Sequence, residues 1–398
     1  MNCTVKLTDD LFFVGGNDRR LHLFENAYPI PRGVSYNAYV VRGWENVLVD
    51  TADNAIGDLF LENIAYALQG ETLKHIIVQH MEPDHAATLV RVCKDYPEAT
   101  VHASAKAADL IGQFFGAELN QRIRIVGEGD ALDTGSHRFS FMMAPMVHWP
   151  EVMVTYEHST KTLFSADAFG TFGAVSGFCF ADEVDFEREW LDDARRYYAN
   201  IVGKYGAPVQ ALLKKTAALD ITMLCPLHGP VWRENIAWFV DKYQKWSTYT
   251  PEEEGVLIAY ASVYGHTANA AEILAMDLRA QGAKKIAVYD VSVTHPSYIL
   301  SEAFRFGKLA FLSSTYNSGI FPAMETLLHE LKAHALKKRK IALVENGSWA
   351  PTAGKQMREI LFALQQTNVL ENTVSVRSAV NDETRQQLRE LAAKLMED

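Results

Sequence analysis

The chain has 398 residues with a formal net charge of −11, and 48% of its residues are hydrophobic while 22% are charged. These values predict two or three globular domains. The acidic balance excludes a nucleic-acid groove, and no apolar run approaches the ~18–20 residues that cross a bilayer. No signal peptide is visible, and four scattered cysteines without a C-x-x-C pair argue against an iron–sulfur or zinc-ribbon module, so we expect a cytoplasmic protein with reduced thiols.

Residues 1–250 are predicted to form one domain in which short strands alternate with helices. The predicted strands are residues 10–16, two strands within 36–50, 75–78, 100–102, 122–126, 139–143, 153–156 and 162–165. The predicted helices are residues 56–68, 86–96, 185–219 and 233–246.

The strand predicted at residues 75–78 leads into a cluster of metal-capable side chains, namely His80, Glu82, Asp84 and His85. Burying this much polarity without a partner costs on the order of 2–7 kcal/mol per group. A metal ion is such a partner, and ligands delivered at the carboxyl end of a buried strand are typical of an active site. The cluster therefore predicts a metal centre.

Three further candidates, His148, Asp167 and His228, each follow an apolar run. Loops at the carboxyl ends of strands converge, so these side chains are expected to meet the cluster. Seven ligands are too many for one ion and suit two ions that share a carboxylate. Three carboxylates favour the harder ions iron or manganese, whereas the Irving–Williams order favours zinc.

A polar, proline-containing link near residues 250–255 separates a second predicted domain, residues 251–398. Its predicted strands are residues 256–261, 285–290, 308–313, 340–344 and 373–377. Helical patterns lie between and after these strands. This alternation predicts a doubly wound parallel sheet, and five strands suggest a flavodoxin-like order.

Three small polar loops follow the first, third and fourth of these strands. A helix N-terminus with nearby hydroxyls suits a phosphate, and Tyr316 and Trp349 suit the two faces of a flat ring. The loops therefore predict a flavin mononucleotide (FMN) site; ordinary loops of an apo regulatory domain are the alternative. The candidate residues are Ser262, Val263, Tyr264, Gly265, His266 and Thr267; Ser314, Thr315, Tyr316, Asn317, Ser318 and Gly319; and Asn346, Gly347, Ser348 and Trp349.

The pattern His80-x-Glu82-x-Asp84-His85, together with His148-Trp149-Pro150, Asp167 and His228-Gly229, resembles that of the flavodiiron proteins (A-type flavoproteins). The resemblance covers nearly the whole chain. It implies an N-terminal metallo-β-lactamase-like αββα sandwich and a C-terminal flavodoxin-like domain. It also implies that one iron takes His80, Glu82 and His148, that the other takes Asp84, His85 and His228, and that Asp167 bridges them.

The same resemblance implies an oxidoreductase that reduces dioxygen to water, nitric oxide to nitrous oxide, or both. Its electrons come through FMN from a donor such as rubredoxin, or from a reduced deazaflavin, and its assembly is a head-to-tail homodimer or a dimer of such dimers. Arg19 and Glu25 stand where relatives carry other residues near the substrate pocket, and His266 departs from the usual phosphate loop. A dizinc hydrolase with a flavodoxin-like module and a gas sensor are the alternatives; Glu82 argues against the former.

Overall fold

The computed structural model describes residues 2–397, which divide into two compact units. The first unit contains the residues up to Tyr198 together with Ala207–Gln244, and the second contains Ala199–Gly206 and the residues from Lys245 onward. The sequence predicts domains of residues 1–250 and 251–398, which places the boundary slightly later and leaves residues 199–206 in the first domain. None of the helices described between residues 2 and 397 combines the length and apolar character needed to cross a membrane.

The first unit contains two mixed β-sheets and two small two-stranded antiparallel sheets. Its strands are β1 (Val5–Lys6), β2 (Leu11–Phe13), β3 (Gly16–Asp18), β4 (Leu23–Phe24), β5 (Tyr28–Pro29), β6 (Val34–Tyr36), β7 (Tyr39–Val41), β8 (Asn46–Val49), β9 (Leu73–Val78), β10 (Thr100–Ala103), β11 (Ile123–Ile125), β12 (Ala131–Asp133), β13 (Arg138–Met143), β14 (Met153–Glu157), β15 (Thr162–Phe164) and β16 (Met223–Cys225). The larger sheet has the order β1-β2-β7-β8-β9-β10-β11, the smaller mixed sheet has the order β12-β13-β14-β15-β16, and the two-stranded sheets are β3-β6 and β4-β5.

The two sheets share one hydrophobic core. Tyr39 and Ile77 from the larger sheet and Phe141, Phe164 and Cys225 from the smaller sheet belong to a single buried cluster. Sheets that bury their apolar faces against each other form a sandwich. The predicted metallo-β-lactamase-like sandwich is therefore confirmed.

The helices of this unit follow the predicted pattern with three differences. They are α1 (Gly57–Leu68), α2 (Pro83–Ala86), α3 (Leu89–Asp95), α4 (Ala105–Phe115), α5 (Phe186–Glu189), α6 (Leu191–Tyr197), α7 (Gly206–Thr216) and α8 (Ile236–Ser247). The helix predicted over 86–96 is interrupted because the Thr88 hydroxyl donates to the Ala52 carbonyl oxygen at 2.7 Å and accepts from the Ala52 N–H. The helix predicted over 185–219 is broken by a π-helical turn at Tyr198–Val202. Helix α4, capped by the Ser104 hydroxyl, lies between the strands predicted at 100–102 and 122–126, where no helix was predicted.

The second unit is a doubly wound sheet with the order β18-β17-β19-β21-β22, all parallel, and β20 pairs with β19. Its strands are β17 (Glu253–Ala261), β18 (Ile286–Asp290), β19 (Phe306–Tyr316), β20 (Gly319–Ile320), β21 (Lys340–Asn346) and β22 (Asn368–Val376). Its helices are α9 (His266–Ala280), α10 (Pro296–Arg305), α11 (Pro322–Ala333), α12 (Ala353–Leu361) and α13 (Asp382–Met396). Counted within the unit, this is the strand order 2-1-3-4-5, which confirms the predicted flavodoxin-like fold.

Candidate metal and flavin sites

Strand β9 delivers the first four candidate ligands. It lies between β8 and β10 with both neighbours parallel, so its carboxyl end opens at the edge of the larger sheet. The buried Asp50 carboxylate accepts hydrogen bonds from the Gln79 N–H at 2.7 Å and from the Gln79 side-chain amide at 2.9 Å. This anchors the backbone where it leaves the strand. Pro83 then begins the short helix α2, on which Asp84 and His85 lie.

The other three candidates come from loops that follow strands of the smaller sheet. His148 lies in the loop after β13, Asp167 lies just after β15, and His228 lies just after β16. Strands β15 and β16 are parallel neighbours, so the loops after them leave from the same edge. Asp167 and His228 are each 1% exposed. Ligands from both sheets are thereby brought together at one end of the sandwich.

The seven predicted side chains form two groups. Within each group, the potential ligand atoms all lie within 4.8 Å of one another. The first group is His80, Glu82, His148 and Asp167; the second is Asp84, His85 and His228. The two oxygens of Asp167 face different groups. Oδ2 lies 3.1 Å from His80 Nε2 and 3.2 Å from His148 Nε2, whereas Oδ1 lies 3.3 Å from His85 Nε2 and 3.6 Å from His228 Nε2. Asp167 has the geometry of a bridging carboxylate.

The positions of the donor atoms are better explained by coordination of two metal ions than by hydrogen bonds among the side chains. Both oxygens of Asp84, both oxygens of Asp167 and Nε2 of His148 are buried, and none of these atoms has a hydrogen-bond partner among residues 2–397. Yet neighbouring donor atoms lie 3.0–3.3 Å apart in contacts such as His148 Nε2 to Glu82 Oε2 and His85 Nε2 to Asp84 Oδ2. Metal–ligand bonds of about 2.0–2.2 Å place adjacent ligands roughly 2.8–3.6 Å apart. Donor atoms that point at a common metal ion lie close together without forming hydrogen bonds, as these atoms do.

The electrostatics of the site also favour positive charge. Burial lowers the pKa of His148, but the Asp167 and Glu82 carboxylates outweigh it and raise that pKa to about 9. Burial likewise opposes the charged form of His80, and Asp167 overrides it so that the pKa lies well above its ordinary value. Histidines must be deprotonated at the ligating nitrogen before a metal binds, so cations and protons compete for this site.

Two further contacts orient two of the candidate histidines, and neither contact was predicted from the sequence. Glu151, which is 2% exposed, accepts a hydrogen bond from His80 Nδ1 at 2.8 Å and another from the Met81 N–H at 2.9 Å. His228 Nδ1 donates to the Ser35 carbonyl oxygen at 2.7 Å. Such partners fix the ring orientation and leave Nε2 for the metal. The only sequence signal for Glu151 is an acidic residue three positions after His148, in an otherwise apolar run.

Tyr197 is a further residue that sequence reasoning missed. Its ring packs 5.5 Å from the His228 ring, and its hydroxyl is buried without a hydrogen-bond partner among the described residues. Burial, and then the nearby Asp167 carboxylate, holds the pKa of this phenol well above its ordinary value. Tyr197 therefore presents a protonated hydroxyl beside the metal groups.

Glu25 and Arg19 occupy different surroundings. Glu25 and Asn26 adopt φ angles of 50° and 53° in the tight turn between β4 and β5, which the Ala27 N–H closes onto the Phe24 carbonyl. Loss of hydration at the Glu25 carboxyl group, followed by the influence of the neighbouring Glu82 carboxylate, raises the pKa of Glu25 to about 8. The Arg19 guanidinium instead donates to the Val175 carbonyl at 2.8 Å and to the Ser176 hydroxyl. Only Glu25 of this pair contacts a predicted ligand.

The second unit has a cavity of about 780 Å³ at the carboxyl ends of β17, β19 and β21. This size is typical of a cofactor pocket. Its lining includes every predicted flavin residue except Gly265 and Gly319, together with Ala350 and Ser378, which were not predicted. Tyr264 and Trp349 are 91% and 87% exposed. Two exposed aromatic rings at the rim of this cavity are available to stack on a flat ring system.

The loop before α9 has features that favour binding of an anion. Gly265 has a φ of 91°, which favours glycine, and its N–H donates to the Ser262 hydroxyl at 3.0 Å. Helix α9 then begins at His266 and runs 15 residues. Its first N–H groups and its dipole favour a negative group at this end.

Comparison with known proteins gives the same division of the chain. Residues 34–229 match the family model described as ODP family beta lactamase, and residues 258–392 match the flavodoxin model. The chain is 29% identical over 356 residues to the anaerobic nitric oxide reductase flavorubredoxin of Vibrio vulnificus, and the match covers 87% of this chain and 70% of that protein. A flavorubredoxin of Salmonella arizonae is also 29% identical, with 73% of its length covered.

Solved structures match over almost the whole chain. The rubredoxin oxygen:oxidoreductase of Desulfovibrio gigas superposes with a TM-score of 0.92 at 25% identity, covering 99% of this chain and 98% of that one. A flavoprotein of Thermotoga maritima gives a TM-score of 0.91 at 26% identity with the same coverage. The flavodiiron protein of Giardia intestinalis, at 22% identity, shares the fold with a TM-score of 0.93.

Proposed function

Because this chain belongs to the flavodiiron protein family, we propose that it is an oxidoreductase that reduces dioxygen to water, nitric oxide to nitrous oxide, or both. The observation that carries the proposal is the pair of donor groups that share Asp167. Glu82 adds a third carboxylate to the ligand set. A set with three carboxylates suits iron better than zinc, whose sites contain more imidazole ligands. A flavin bound in the cavity of the second unit could deliver electrons, which a redox-active metal can accept and zinc cannot.

The residues that hold the metal are proposed as follows. One iron takes His80, Glu82 and His148, the other takes Asp84, His85 and His228, and Asp167 bridges the two. The three carboxylates carry three negative charges against four positive charges on two divalent ions. The remaining positive charge favours a small anionic or electron-rich ligand in the pocket.

Bound iron supplies open coordination positions and Lewis acidity, and bound FMN supplies the electrons. The protein contributes orientation, exclusion of water and a proton. Glu151 and the Ser35 carbonyl hold the His80 and His228 rings in place. His80, His85 and Asp167 are no more than 1% exposed, so little water reaches them. The Tyr197 hydroxyl can donate a hydrogen bond to a substrate held between the two groups.

The flavin is proposed to lie in the cavity of the second unit. The loop before α9 takes the phosphate, and Tyr316 and Trp349 flank the ring system. Ser314 and Thr267 hydrogen-bond to each other at 2.8 Å, which ties the first turn of α9 to the carboxyl end of β19. Polar loops on a rigid sheet can therefore fix the ring without a covalent bond.

A head-to-tail homodimer is the proposed minimal assembly, with the flavin of one chain serving the iron site of the other. The test is a mixture of two inactive variants, Asp167→Asn for the metal site and Gly265→Val for the phosphate loop. Mixed dimers contain one intact flavin–iron pair, so mixing should restore part of the activity. Full-size dimers without any restored activity would refute the arrangement.

The activity is tested on protein purified without oxygen. We expect about two irons and one FMN per chain, and rapid reoxidation of the reduced protein by dioxygen, by nitric oxide or by both. Reduced rubredoxin and a reduced deazaflavin are the donors to compare. Stoichiometric zinc without iron or flavin would refute the proposal and favour a dizinc hydrolase.

A further inference from the structure

His266 is the one lining residue of the flavin cavity, within the described chain, whose side chain can carry a positive charge near neutral pH. No lysine, arginine, aspartate or glutamate lines the cavity, and the other titratable side chains on its wall are the phenols of Tyr264 and Tyr316. An anion in this cavity therefore meets one side chain that can carry a positive charge.

The hydroxyls around the loop are partly engaged by the protein itself. The Ser262 hydroxyl accepts the Gly265 N–H, and the Thr267 and Ser314 hydroxyls bond to each other. Tyr264, which occupies a central position in the loop, is 91% exposed. The Ser262 hydroxyl only accepts in its contact with the Gly265 N–H, so its own O–H can still donate to a phosphate. Among the described residues that line the cavity, His266 is the one donor whose side chain can also bring positive charge.

His266 is also well placed for this role. It is the first residue of the 15-residue helix α9, next to the N–H groups that favour an anion. A phosphate monoester carries a charge of about −1.5 to −2 at pH 7. Hydrogen bonds between two charged groups are roughly twice as strong as those between neutral ones.

We propose that protonated His266 pairs with the 5′-phosphate of FMN and makes flavin retention dependent on pH. The inference rests on the proposed FMN site. Its sign follows from charge: the pairing is present when the imidazole is protonated, and it is lost as the pH rises and the imidazole becomes neutral. FMN binding should therefore weaken as the pH rises.

The experiment measures dissociation constants for FMN and for riboflavin by flavin fluorescence, using full-length protein depleted of flavin. Riboflavin lacks the phosphate, so it isolates the ring contacts. The variants are His266→Gln, which removes the charge, and His266→Lys, which keeps a positive charge at all pH values tested. His329→Gln, an exposed histidine on α11, is the matched control.

We expect His266→Gln to weaken FMN binding roughly 10- to 100-fold at pH 6.5, in line with the loss of a charge-assisted hydrogen bond. Riboflavin binding should stay unchanged, and the pH dependence expected of the unmodified protein should be absent from this variant. His266→Lys should restore FMN binding without that pH dependence.

Unchanged FMN affinity in His266→Gln would overturn the inference, as would an equal loss of riboflavin affinity. Those results leave the flavin site itself intact. If the unmodified protein binds neither flavin, the proposed function fails along with the inference, so the two failures are distinguishable.

Discussion

Glu151→Gln should loosen the iron site without changing the fold. Glu151 is 2% exposed, and its Oε1 accepts hydrogen bonds from His80 Nδ1 at 2.8 Å and from the Met81 N–H at 2.9 Å. Glutamine keeps the size of the side chain and one acceptor oxygen. It removes the negative charge that strengthens the bond to His80 and raises the basicity of the ligating Nε2.

The expected size of the effect follows from that exchange. A hydrogen bond to a charged group contributes about 1.5–3 kcal/mol, and a neutral one contributes about 1 kcal/mol. Loss of an outer partner of a ligating histidine typically lowers metal affinity 10- to 100-fold, or about 1.4–2.8 kcal/mol. We therefore expect iron(II) to transfer to a chromogenic chelator at least tenfold more readily from Glu151→Gln than from the unmodified protein.

Glu157→Gln is the matched control for this measurement. Glu157 is also a buried glutamate that accepts a hydrogen bond from a histidine, His137 at 3.2 Å, but His137 belongs to neither donor group. This control should leave iron retention unchanged. If Glu151→Gln retains iron as well as the unmodified protein does, Glu151 does not support the iron site through His80. The same conclusion follows if Glu151→Gln and Glu157→Gln lose iron equally.

Three other perturbations have defined outcomes. Glu82→His should shift metal preference towards zinc and abolish gas reduction, which metal analysis and turnover will reveal; two retained irons with full turnover would contradict the role given to Glu82. Tyr197→Phe should leave iron and flavin content unchanged but slow gas reduction on the order of tenfold or more, since it removes only a hydroxyl donor; unaltered turnover would exclude that role. In the folded protein burial opposes ionisation of Glu157, but His137 and the Thr160 contacts outweigh it and lower its pKa to about 2. The ionised Glu157 carboxylate therefore stabilises the fold by up to roughly 3 kcal/mol above about pH 4.5, and this contribution is lost as the pH falls towards 2. Between those pH values, the free energy of unfolding in urea should fall less for the Glu157→Gln variant than for the unmodified protein.

The grouping of the seven candidate ligands could be predicted from the sequence because each follows an apolar run. His80, Asp167 and His228 combine a chemically unusual side chain with a position at the end of a strand. The flavin loops share that property, so their residues also fall on the cavity wall. Local pattern is sufficient wherever a site is built at strand ends.

Residues that act through long-range contacts could not be predicted in this way. The Glu151 contact with His80 joins residues 71 positions apart, and the Ser35 contact with His228 joins residues 193 positions apart. Tyr197 lies on a segment predicted as one long helix, and its approach to His228 depends on tertiary packing. Glu25 reaches Glu82 only because a tight turn with two positive φ angles aims it there.

We propose that seven side chains hold two irons that share Asp167. Anomalous diffraction from crystals of the anaerobically purified protein, recorded on both sides of the iron absorption edge, locates such ions without reference to activity. We expect two iron peaks roughly 3.5–4 Å apart, one on each side of the Asp167 carboxylate, the first beside His80, Glu82 and His148 and the second beside Asp84, His85 and His228. A single peak, peaks away from these residues, or a signal at the zinc edge instead would contradict this proposal.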